Sequence, residues 1–265
     1  MMHLLDAKII FNKKVSKEYY NLRLLADVVS KESIPGQFMA IKVNNLNFPL
    51  LRRPMSIYKI NPPFIEILYK IKGDGTKILS KKETGEILSI MGPLGNGFDL
   101  KEDFKIAVLI GGGYGLSPLV ALNQKLQSIG KKTIIIIGAK TKELIYKKDF
   151  NNAKICTDDG SLGLKGMVTD LLKKTCKNLS NNDTVIFACG PKEMLKKVSL
   201  IAKKNKIRCQ VSMEELMGCG IGVCLSCVCA SKSKGNPRTF WCVGKINHKR
   251  VCIDGPVFDA AEIIW

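Results

Sequence analysis

Cysteines cluster towards the end of the chain, and their spacing is the clearest chemical signal in the sequence. Cys219, Cys224 and Cys227 follow the pattern C-x4-C-x2-C, with Gly220 and Gly222 between the first two. Plant-type [2Fe-2S] sites have this spacing and take a more distant fourth cysteine. Structural zinc sites, the alternative, favour two C-x2-C pairs. We therefore expect a [2Fe-2S] cluster here, with the glycines allowing a tight wrap that turns backbone N–H groups towards the sulfurs.

Two later cysteines compete for the position of the fourth cluster ligand. Cys242 and Cys252 are both available, and residue types alone leave the choice between them open. Cys229 lies two residues after Cys227, outside the C-x4-C-x2-C pattern. We therefore expect Cys229 not to bind the cluster.

Two glycine-containing turns have the composition of a dinucleotide site. Gly111-Gly112-Gly113 follows an apolar stretch and opens a helical one, and Cys189-Gly190-Pro191 repeats this arrangement later. Glycines let the backbone approach a pyrophosphate, and a helix N-terminus supplies N–H groups and a positive dipole end. In a parallel sheet, two such turns can flank one ligand crevice. The polar loop 157–161 follows another strand and could reach the same crevice.

A basic motif earlier in the chain offers plausible ligands for a dinucleotide that carries a flavin or an adenine. Arg53-Pro54-Met55-Ser56 places a guanidinium and a hydroxyl on either side of a rigid proline, which suits a pyrophosphate. The aromatic stretch Leu68-Tyr69-Lys70 then runs towards Gly75-Thr76, in a turn that offers backbone donors. On the residues alone, a solvated pair of arginines is the competing interpretation.

The elements that position these residues change in kind along the chain. Residues 1–100 contain short β-rich stretches separated by turn signals, which predict a small antiparallel barrel. In residues 101–212, apolar strands alternate with helical stretches, which predicts a doubly wound parallel sheet. Residues 213–265 have little periodicity, as expected if a metal organises them. We therefore predict an α+β multidomain fold with an N-terminal antiparallel β-barrel, an α/β nucleotide-binding domain and a C-terminal [2Fe-2S] segment.

The formal net charge of +19 raises the question of a nucleic-acid partner. The basic residues are mostly lysines spread along the chain, whereas arginine is the preferred side chain for reading bases. We therefore expect a solvated surface and no nucleic-acid partner. The longest aliphatic run, 134–137, is too short to span a bilayer, and the first residues lack the apolar region of a secretion signal. We expect a cytoplasmic protein without membrane contact.

Taken together, the motifs resemble the ferredoxin–NADP reductase superfamily and, within it, the electron-transfer subunits of dihydroorotate dehydrogenase B. The most specific stretches are 214–224, with the sequence EELMGCGIGVC, and 251–258, with the sequence VCIDGPVF. In that family the last cluster ligand lies in the V-C-x-D-G-P-V-F context, which favours Cys252. This chain departs in spacing, because the interval from Cys227 to Cys252 is longer than is usual and Cys242 matches the usual one. We interpret 235–248 as carrying an insertion.

The resemblance assigns the remaining motifs to cofactors and leaves this chain without a catalytic residue of its own. We expect FAD at the barrel, NAD at the two turns and the cluster at four cysteines. The expected FAD-binding residues are Arg53, Pro54, Met55, Ser56, Leu68, Tyr69, Lys70, Gly75 and Thr76. Those for NAD are Gly111, Gly112, Gly113, Cys189, Gly190 and Pro191, and those for the cluster are Cys219, Cys224, Cys227 and Cys252.

The resemblance also implies an activity and a partner. Electrons from an FMN-containing, dihydroorotate-oxidising catalytic subunit would pass through the cluster and FAD to NAD+, in pyrimidine biosynthesis. The expected assembly is a heterotetramer with two copies of each subunit. The alternative is a subunit of a related iron–sulfur flavoprotein, such as sulfide dehydrogenase or NADH-dependent ferredoxin:NADP oxidoreductase. Such relatives often use an aspartate as a cluster ligand, whereas this chain has enough cysteines.

Overall fold

The computed structural model describes residues 1–46, 48–232, 242–243 and 246–265. Its strands form three sheets, of seven, seven and three strands. The first two sheets are the barrel sheet and the nucleotide-binding sheet expected from the sequence. No helix in the described ranges is long and apolar enough to cross a membrane.

The barrel sheet consists of β1 (His3–Lys14), β2 (Tyr19–Leu25), β3 (Phe38–Lys42), β4 (Arg53–Ser56), β5 (Lys59–Asn61), β6 (Phe64–Lys70) and β7 (Ile87–Leu94). The strands pair antiparallel throughout, in the order β4-β3-β7-β1-β2-β6-β5. Only Ile57 and Tyr58 join the two edge strands β4 and β5, so the sheet curls back towards its own edge. Ile9, Leu24 and Ile67 are fully buried in the apolar core of this barrel.

Two short helices belong to the barrel and were not predicted from the sequence. They are α1 (Asp27–Glu32) and α2 (Asp74–Leu79). The glycines around Asp74 predicted a turn, but this stretch begins α2. The Thr76 hydroxyl accepts the backbone N–H groups of Lys72 at 2.8 Å and Gly73 at 3.2 Å. A side-chain acceptor of this kind satisfies donors at the start of a helix and so favours helix over open turn.

The nucleotide-binding sheet consists of β8 (Ile106–Gly112), β9 (Lys132–Ala139), β10 (Lys154–Thr157), β11 (Leu164–Lys165), β12 (Thr184–Cys189), β13 (Arg208–Ser212) and β17 (Val257–Asp259). Its helices are α3 (Ser117–Ser128), α4 (Val168–Cys176) and α5 (Lys192–Lys204). Every residue of β12 is buried, as expected for a parallel strand with helices covering both faces.

The strand order of this sheet creates a crevice at a defined place. The order is β11-β10-β9-β8-β12-β13-β17, and only β17 runs antiparallel to its neighbour. The chain moves outward from β8 to β11 and then returns to the other side of β8 as β12. Ligands of open α/β sheets bind at such a switch point, outside the carboxyl ends of the strands. Both glycine-containing turns lie there.

The C-terminal segment has more regular structure than the sequence predicted. It contains β14 (Val228–Lys232), β15 (Cys242–Val243) and β16 (Ile246–Arg250), which pair antiparallel in the order β14-β16-β15. The weak periodicity of 213–265 gave no signal for these strands. The alternation of small apolar residues in β14 is too short to indicate a strand from the sequence. Its partner β16 follows only after an intervening stretch of chain, so no hairpin signal joins the two.

The C-terminal segment is also attached to both larger sheets. The Asn96 N–H donates to the Gly255 carbonyl at 2.5 Å, and the Met213 N–H donates to the Pro256 carbonyl at 2.8 Å. Val251 and Phe258 lie in the same apolar core as residues of the barrel and the nucleotide-binding sheet. The cluster segment is therefore positioned by both of the larger sheets.

Candidate functional site

A cavity of about 740 Å3 opens between the barrel, the start of α3 and the residues just before the first cluster cysteine; we call it the barrel cavity. All nine expected FAD-binding residues line it. They are Arg53, Pro54, Met55, Ser56, Leu68, Tyr69, Lys70, Gly75 and Thr76. Residues that were not assigned to a site from the sequence also line it: Phe48, Ser117, Ser212 and the stretch 213–217.

Arg53 has the features of an anion-binding side chain. Its Nε is buried and lacks a hydrogen-bond partner within the described residues. A Cβ built on Gly75 would lie 2.5 Å from this Nε, so glycine leaves the space that the guanidinium uses. A buried charged donor without an acceptor is costly unless a ligand supplies one. This arrangement fits the pyrophosphate of a dinucleotide in the barrel cavity.

Arg52, the preceding residue, has a different environment. Its guanidinium donates to the Ser89 carbonyl at 2.8 Å and to the Ser89 hydroxyl at 3.0 Å. Partial burial lowers the pKa of Arg52. Arg52 therefore serves the barrel sheet, and only its neighbour faces the cavity.

Tyr69 lines the cavity, and its hydroxyl is held by the barrel. The hydroxyl donates to Asn12 Oδ1 at 3.0 Å, and the ring stacks on that of Tyr20 with centroids 5.5 Å apart. Burial, the largest cause, raises the pKa of Tyr69. The ring is therefore fixed in orientation within the barrel core, against Tyr20.

The two glycine-containing turns pack directly against each other. A Cβ on Gly115 would lie 2.6 Å from the Cys189 carbonyl oxygen, and a Cβ on Gly190 would lie 3.1 Å from Gly112 Cα. Met194, on α5, covers both turns, since a Cβ on Gly112 would lie 2.5 Å from its sulfur. The structure thus brings the expected NAD-binding residues together at the switch point. Met194 carries no sequence signal that would have identified it.

Cys189 lies at the end of β12 with its thiol buried, and it is only 2% exposed. Burial, and then the nearby carboxylate of Glu214, raise the pKa of this thiol, while a hydrogen bond with Ser212 opposes them. Cys189 is therefore a neutral thiol at physiological pH. Glu214 and Ser212 also line the barrel cavity, which places the end of β12 beside it.

The cluster loop, residues 218–227, surrounds its first cysteine with backbone donors. Cys219 Sγ accepts N–H groups from Ile221 at 3.5 Å, Val223 at 3.3 Å and Cys224 at 3.3 Å. Gly220 at φ +72° and Gly222 at φ +80° turn the chain through the left-handed region that other residues avoid. The Gly222 N–H donates to Cys252 Sγ at 3.1 Å, so the fourth candidate thiol meets the same loop. Donors aimed at sulfur tune iron–sulfur sites.

The environments of the candidate ligands differ. Cys224 is exposed, and hydrogen bonds from the Ser226 hydroxyl, the Ser226 N–H and the Cys219 N–H lower its pKa to about 6. Cys252 is buried, and burial followed by its hydrogen bond with Cys227 raises its pKa to about 12. Ser226 was not predicted as a site residue, although a small polar residue between two ligand cysteines is a signal to look for.

The remaining cysteines of this region are arranged differently. Cys229 lies on β14, buried, and burial raises the pKa of its thiol to about 11. The side chain of Cys242, the alternative fourth ligand, lies outside the described part of the chain. Among the described residues, no three His, Cys, Asp or Glu side chains are grouped so as to hold a metal ion. The fit to a cluster therefore rests on the backbone donors and on the contact between Cys227 and Cys252.

Two family models match the chain in the regions that carry these sites. The iron–sulfur cluster binding domain of dihydroorotate dehydrogenase B matches residues 214–264, and the oxidoreductase NAD-binding domain matches residues 109–199. The chain is 36% identical over 272 aligned residues to the electron transfer subunit of dihydroorotate dehydrogenase B (NAD(+)) from Geobacillus sp. strain WCH70. It has the same identity to that subunit from Bacillus mycoides strain KBAB4. Each alignment covers 100% of both chains.

Solved structures agree on the fold. The structure of NADH-dependent reduced ferredoxin–NADP oxidoreductase, studied for flavin-based electron bifurcation, superposes with a TM-score of 0.82 at 28% identity. It covers 98% of this chain and 90% of that one. A ferredoxin NADP+ reductase from Neisseria gonorrhoeae, solved with FAD and NADP, shares the fold with a TM-score of 0.64 at 18% identity, over 76% of this chain and 91% of that one. The relatives are 36% identical to this chain over its full length, and the cluster-binding family model matches its C-terminal part. The chain therefore belongs to the family of electron-transfer subunits of dihydroorotate dehydrogenase B.

Proposed function

We propose that this chain passes electrons from a dihydroorotate-oxidising partner subunit to NAD+, using one FAD and one [2Fe-2S] cluster of its own. The observation that carries this proposal is the position of the cluster loop. Residues 213–217, which directly precede it, line the same barrel cavity as Arg53 and Ser56. The proposed flavin and cluster sites are therefore neighbours within one chain. We assign FAD to residues 1–100, NAD to 101–212 and the cluster to 213–265.

FAD would be held by the nine expected residues of the barrel cavity. Arg53 supplies a charged donor to the pyrophosphate, and Gly75 leaves room for its guanidinium. Tyr69 contributes to the cavity wall, and its ring is held in place by Tyr20. Ser117, whose buried hydroxyl lacks a partner within the described residues, offers a further hydrogen bond at the start of α3.

The cluster would be held by Cys219, Cys224, Cys227 and Cys252. The loop's N–H groups donate to the sulfur of Cys219, and the donors around Cys224 lower the pKa of that thiol. Burial of Cys227 and Cys252 removes one side of the site from water. The resemblance to family members favours Cys252, and the Gly222 N–H aimed at its sulfur supports the same choice.

NAD would bind at the paired turns, with Gly111, Gly112, Gly113 and Gly190 allowing close approach of its pyrophosphate to the backbone and to the start of α3. When bound, FAD supplies hydride chemistry with the nicotinamide, and the cluster supplies transfer of single electrons. The residues of this chain bind and orient these groups. The neutral, buried thiol of Cys189 forms an apolar wall at the crevice rather than a nucleophile.

The proposed partner is an FMN-containing catalytic subunit. The relatives are named electron transfer subunits, which implies that a second subunit exists. We expect two copies of each subunit in a cytoplasmic heterotetramer that serves pyrimidine biosynthesis. Docking would involve residues 217–258, because single electrons must reach the cluster from the partner's FMN. Cys224 is the exposed cysteine of the cluster loop and marks the side from which they would arrive.

The experiment is to purify the full chain without oxygen and to record its absorption spectrum, cofactor content and reaction with NADH. We expect flavin and iron–sulfur bands, one FAD and two irons per chain, and bleaching of the flavin by NADH. A protein that carries neither FAD nor iron after reconstitution with both would overturn the proposal.

A second function is favoured by the likeness to NADH-dependent reduced ferredoxin–NADP oxidoreductase, which extends over nearly the whole chain. In that case the chain would exchange electrons with a ferredoxin-linked partner. The same purified chain discriminates between the two. Co-purification with a dihydroorotate-oxidising subunit supports the first function, whereas co-purification with a ferredoxin-dependent flavoprotein supports the second.

A further inference from the structure

An ionic contact joins the barrel to the loop that follows β9, residues 142–150, which we call the β9 loop. The Asp149 carboxylate accepts a hydrogen bond from the Tyr58 hydroxyl, and Lys59 Nζ donates to its other oxygen at 2.6 Å. The side chains of Lys59 and Asp149 are only 18% and 20% exposed. One carboxylate on the nucleotide-binding side thus binds two adjacent residues of the barrel.

The β9 loop has a second contact with the barrel near its beginning. The Tyr19 hydroxyl donates to the Leu144 carbonyl at 3.1 Å. The rings of Tyr19 and Tyr146 pack with centroids 6.0 Å apart. The loop is therefore held at both ends, and its orientation against the barrel is fixed by polar groups with defined geometry.

Each side of this contact continues directly into one half of the proposed redox site. Tyr58 and Lys59 follow β4, whose residues Arg53 to Ser56 line the barrel cavity. The β9 loop follows the end of β9, at the edge of the sheet where the NAD turns lie. A displacement of the Asp149 contact would therefore shift the flavin side relative to the nicotinamide side.

The contact resists displacement because its groups are largely removed from water. Burial, then the hydrogen bond to Asp149, raise the pKa of Tyr58, so its phenol stays protonated and donates at physiological pH. If Asp149 moved away, the ammonium of Lys59 and the phenol of Tyr58 would lose their shared acceptor. Both groups would stay largely buried, and their desolvation cost would no longer be compensated. The arrangement with Asp149 in place is therefore strongly preferred over a shifted one.

We propose that Asp149 is a positioning residue for electron exchange between flavin and nicotinamide, holding the nucleotide-binding side at the distance and angle that the reaction requires. This inference rests on the proposed function. The inference extends the proposed function by assigning a role to Asp149, which contacts neither cofactor site. The rate of a reaction between two bound groups depends steeply on their alignment. A small shift of one side therefore lowers the rate of flavin reduction more than it lowers the affinity for NADH.

The test compares Asp149→Asn with the wild-type full chain carrying its FAD and cluster, using anaerobic stopped-flow reduction of the flavin by NADH. We expect the limiting rate to fall by about tenfold or more, while the NADH concentration for half-maximal rate stays within about twofold. The long-wavelength absorption from contact between reduced flavin and NAD+ should weaken in parallel. Asp183→Asn is the matched control, since Asp183 pairs with Lys105 within the nucleotide-binding side at 3.3 Å; this variant should react like wild type.

Two further variants keep the test decisive. Lys59→Met removes the second arm of the contact and should reproduce the loss of rate even if Asp149→Asn folds poorly. Asp149→Glu keeps the charge and should recover part of the rate. A limiting rate equal to wild type in both Asp149→Asn and Lys59→Met, whatever the change in thermal stability, overturns the inference. A wild-type chain that binds FAD but is not reduced by NADH would instead refute the proposed function.

Discussion

Arg52 and Arg53 are adjacent in sequence but differ in what satisfies their guanidinium groups. Arg52 has its acceptors on Ser89, whereas Arg53 has a buried Nε without a partner in the described part of the chain. The sequence could not separate them, because the direction of each side chain depends on how β4 pairs with β3. The motif match selected the residue that does line the barrel cavity.

We predict that Arg53→Ala weakens FAD binding by about 10- to 100-fold, which is typical for loss of one hydrogen bond to a charged group. Arg52→Ala is the matched control and should keep its FAD while losing some stability of the barrel. FAD retained after gel filtration and the dissociation constant from flavin fluorescence measure the effect. Equal FAD affinity in the two variants would remove Arg53 from the site.

Two cysteines compete as the fourth cluster ligand. The usual spacing favours Cys242, whereas the motif context favours Cys252. We predict that Cys252→Ser abolishes or distorts the EPR signal of the reduced cluster, because Cys252 meets the same loop as Cys219 through Gly222. Cys242→Ser should leave the signal intact. The reverse pattern would show that the interval from Cys227 decides the ligand.

An exposed carboxylate at the end of β9 bears on the choice of nicotinamide cofactor. The Thr141 hydroxyl, the largest cause, lowers the pKa of Glu143, which therefore carries a negative charge at neutral pH. A 2′-phosphate would be repelled there, and the stretch 138–142 offers lysines but no arginine clamp. We predict a higher kcat/KM for NADH than for NADPH.

Steady-state kinetics with both cofactors measure this preference. Glu143→Lys should raise kcat/KM for NADPH several-fold, and Glu83→Lys, the same change of charge on the barrel, should not alter it. A wild-type preference for NADPH would contradict the prediction.

At the scale of elements, the paired turns depend on glycines at points of close contact between β8, β12 and α5. We predict that Gly115→Ala destabilises the fold by about 1–3 kcal/mol, a typical cost of overpacking, because its Cβ would meet the Cys189 carbonyl. The KM for NADH should rise while FAD and the cluster are retained. Gln127→Ala, on the exposed side of α3, is the control, and an unchanged KM in Gly115→Ala would argue against the turns as the NAD site.

The elements also show how far sequence reasoning reaches. Phe64–Lys70 is one of the β-rich stretches that the sequence makes readable, since its apolar run lies between clear turn signals, and the structure has it as β6. The α2 helix was missed because it is short, begins with glycines and depends on the Thr76 hydroxyl for its first turn. Ser117 and Ser226 were not predicted as site residues, because their roles arise from three-dimensional contacts that leave no spacing pattern.

At the scale of the whole molecule, the fold class and the family predicted from motifs are confirmed by the relatives and by the superposed structures. Residue-level assignments and the domain limits stay predictions. The positive net charge was expected to belong to a solvated surface, and described lysines take part in local pairs such as Lys82 with Glu86.

We predict that the chain alone does not oxidise dihydroorotate. The resemblance leaves substrate oxidation to the partner subunit. The chain has two histidines, of which His3 pairs with Glu32 at the surface. The isolated chain should still reduce artificial acceptors with NADH. The assay uses dihydroorotate and NAD+ with and without the partner subunit, and turnover without the partner would refute this division of roles.

The antiparallel strand β17 links the cluster segment to the protection of a sheet edge. β17 completes the edge of the nucleotide-binding sheet beside β13, yet it follows the cluster cysteines in sequence. Without β17, β13 would present an uncovered edge, which is a template for aggregation with other chains. Because β17 comes only a few residues after Cys252, a displacement of the Cys252 segment would also uncover that edge. Order around Cys252 and protection of the sheet are thereby linked through one short stretch of chain.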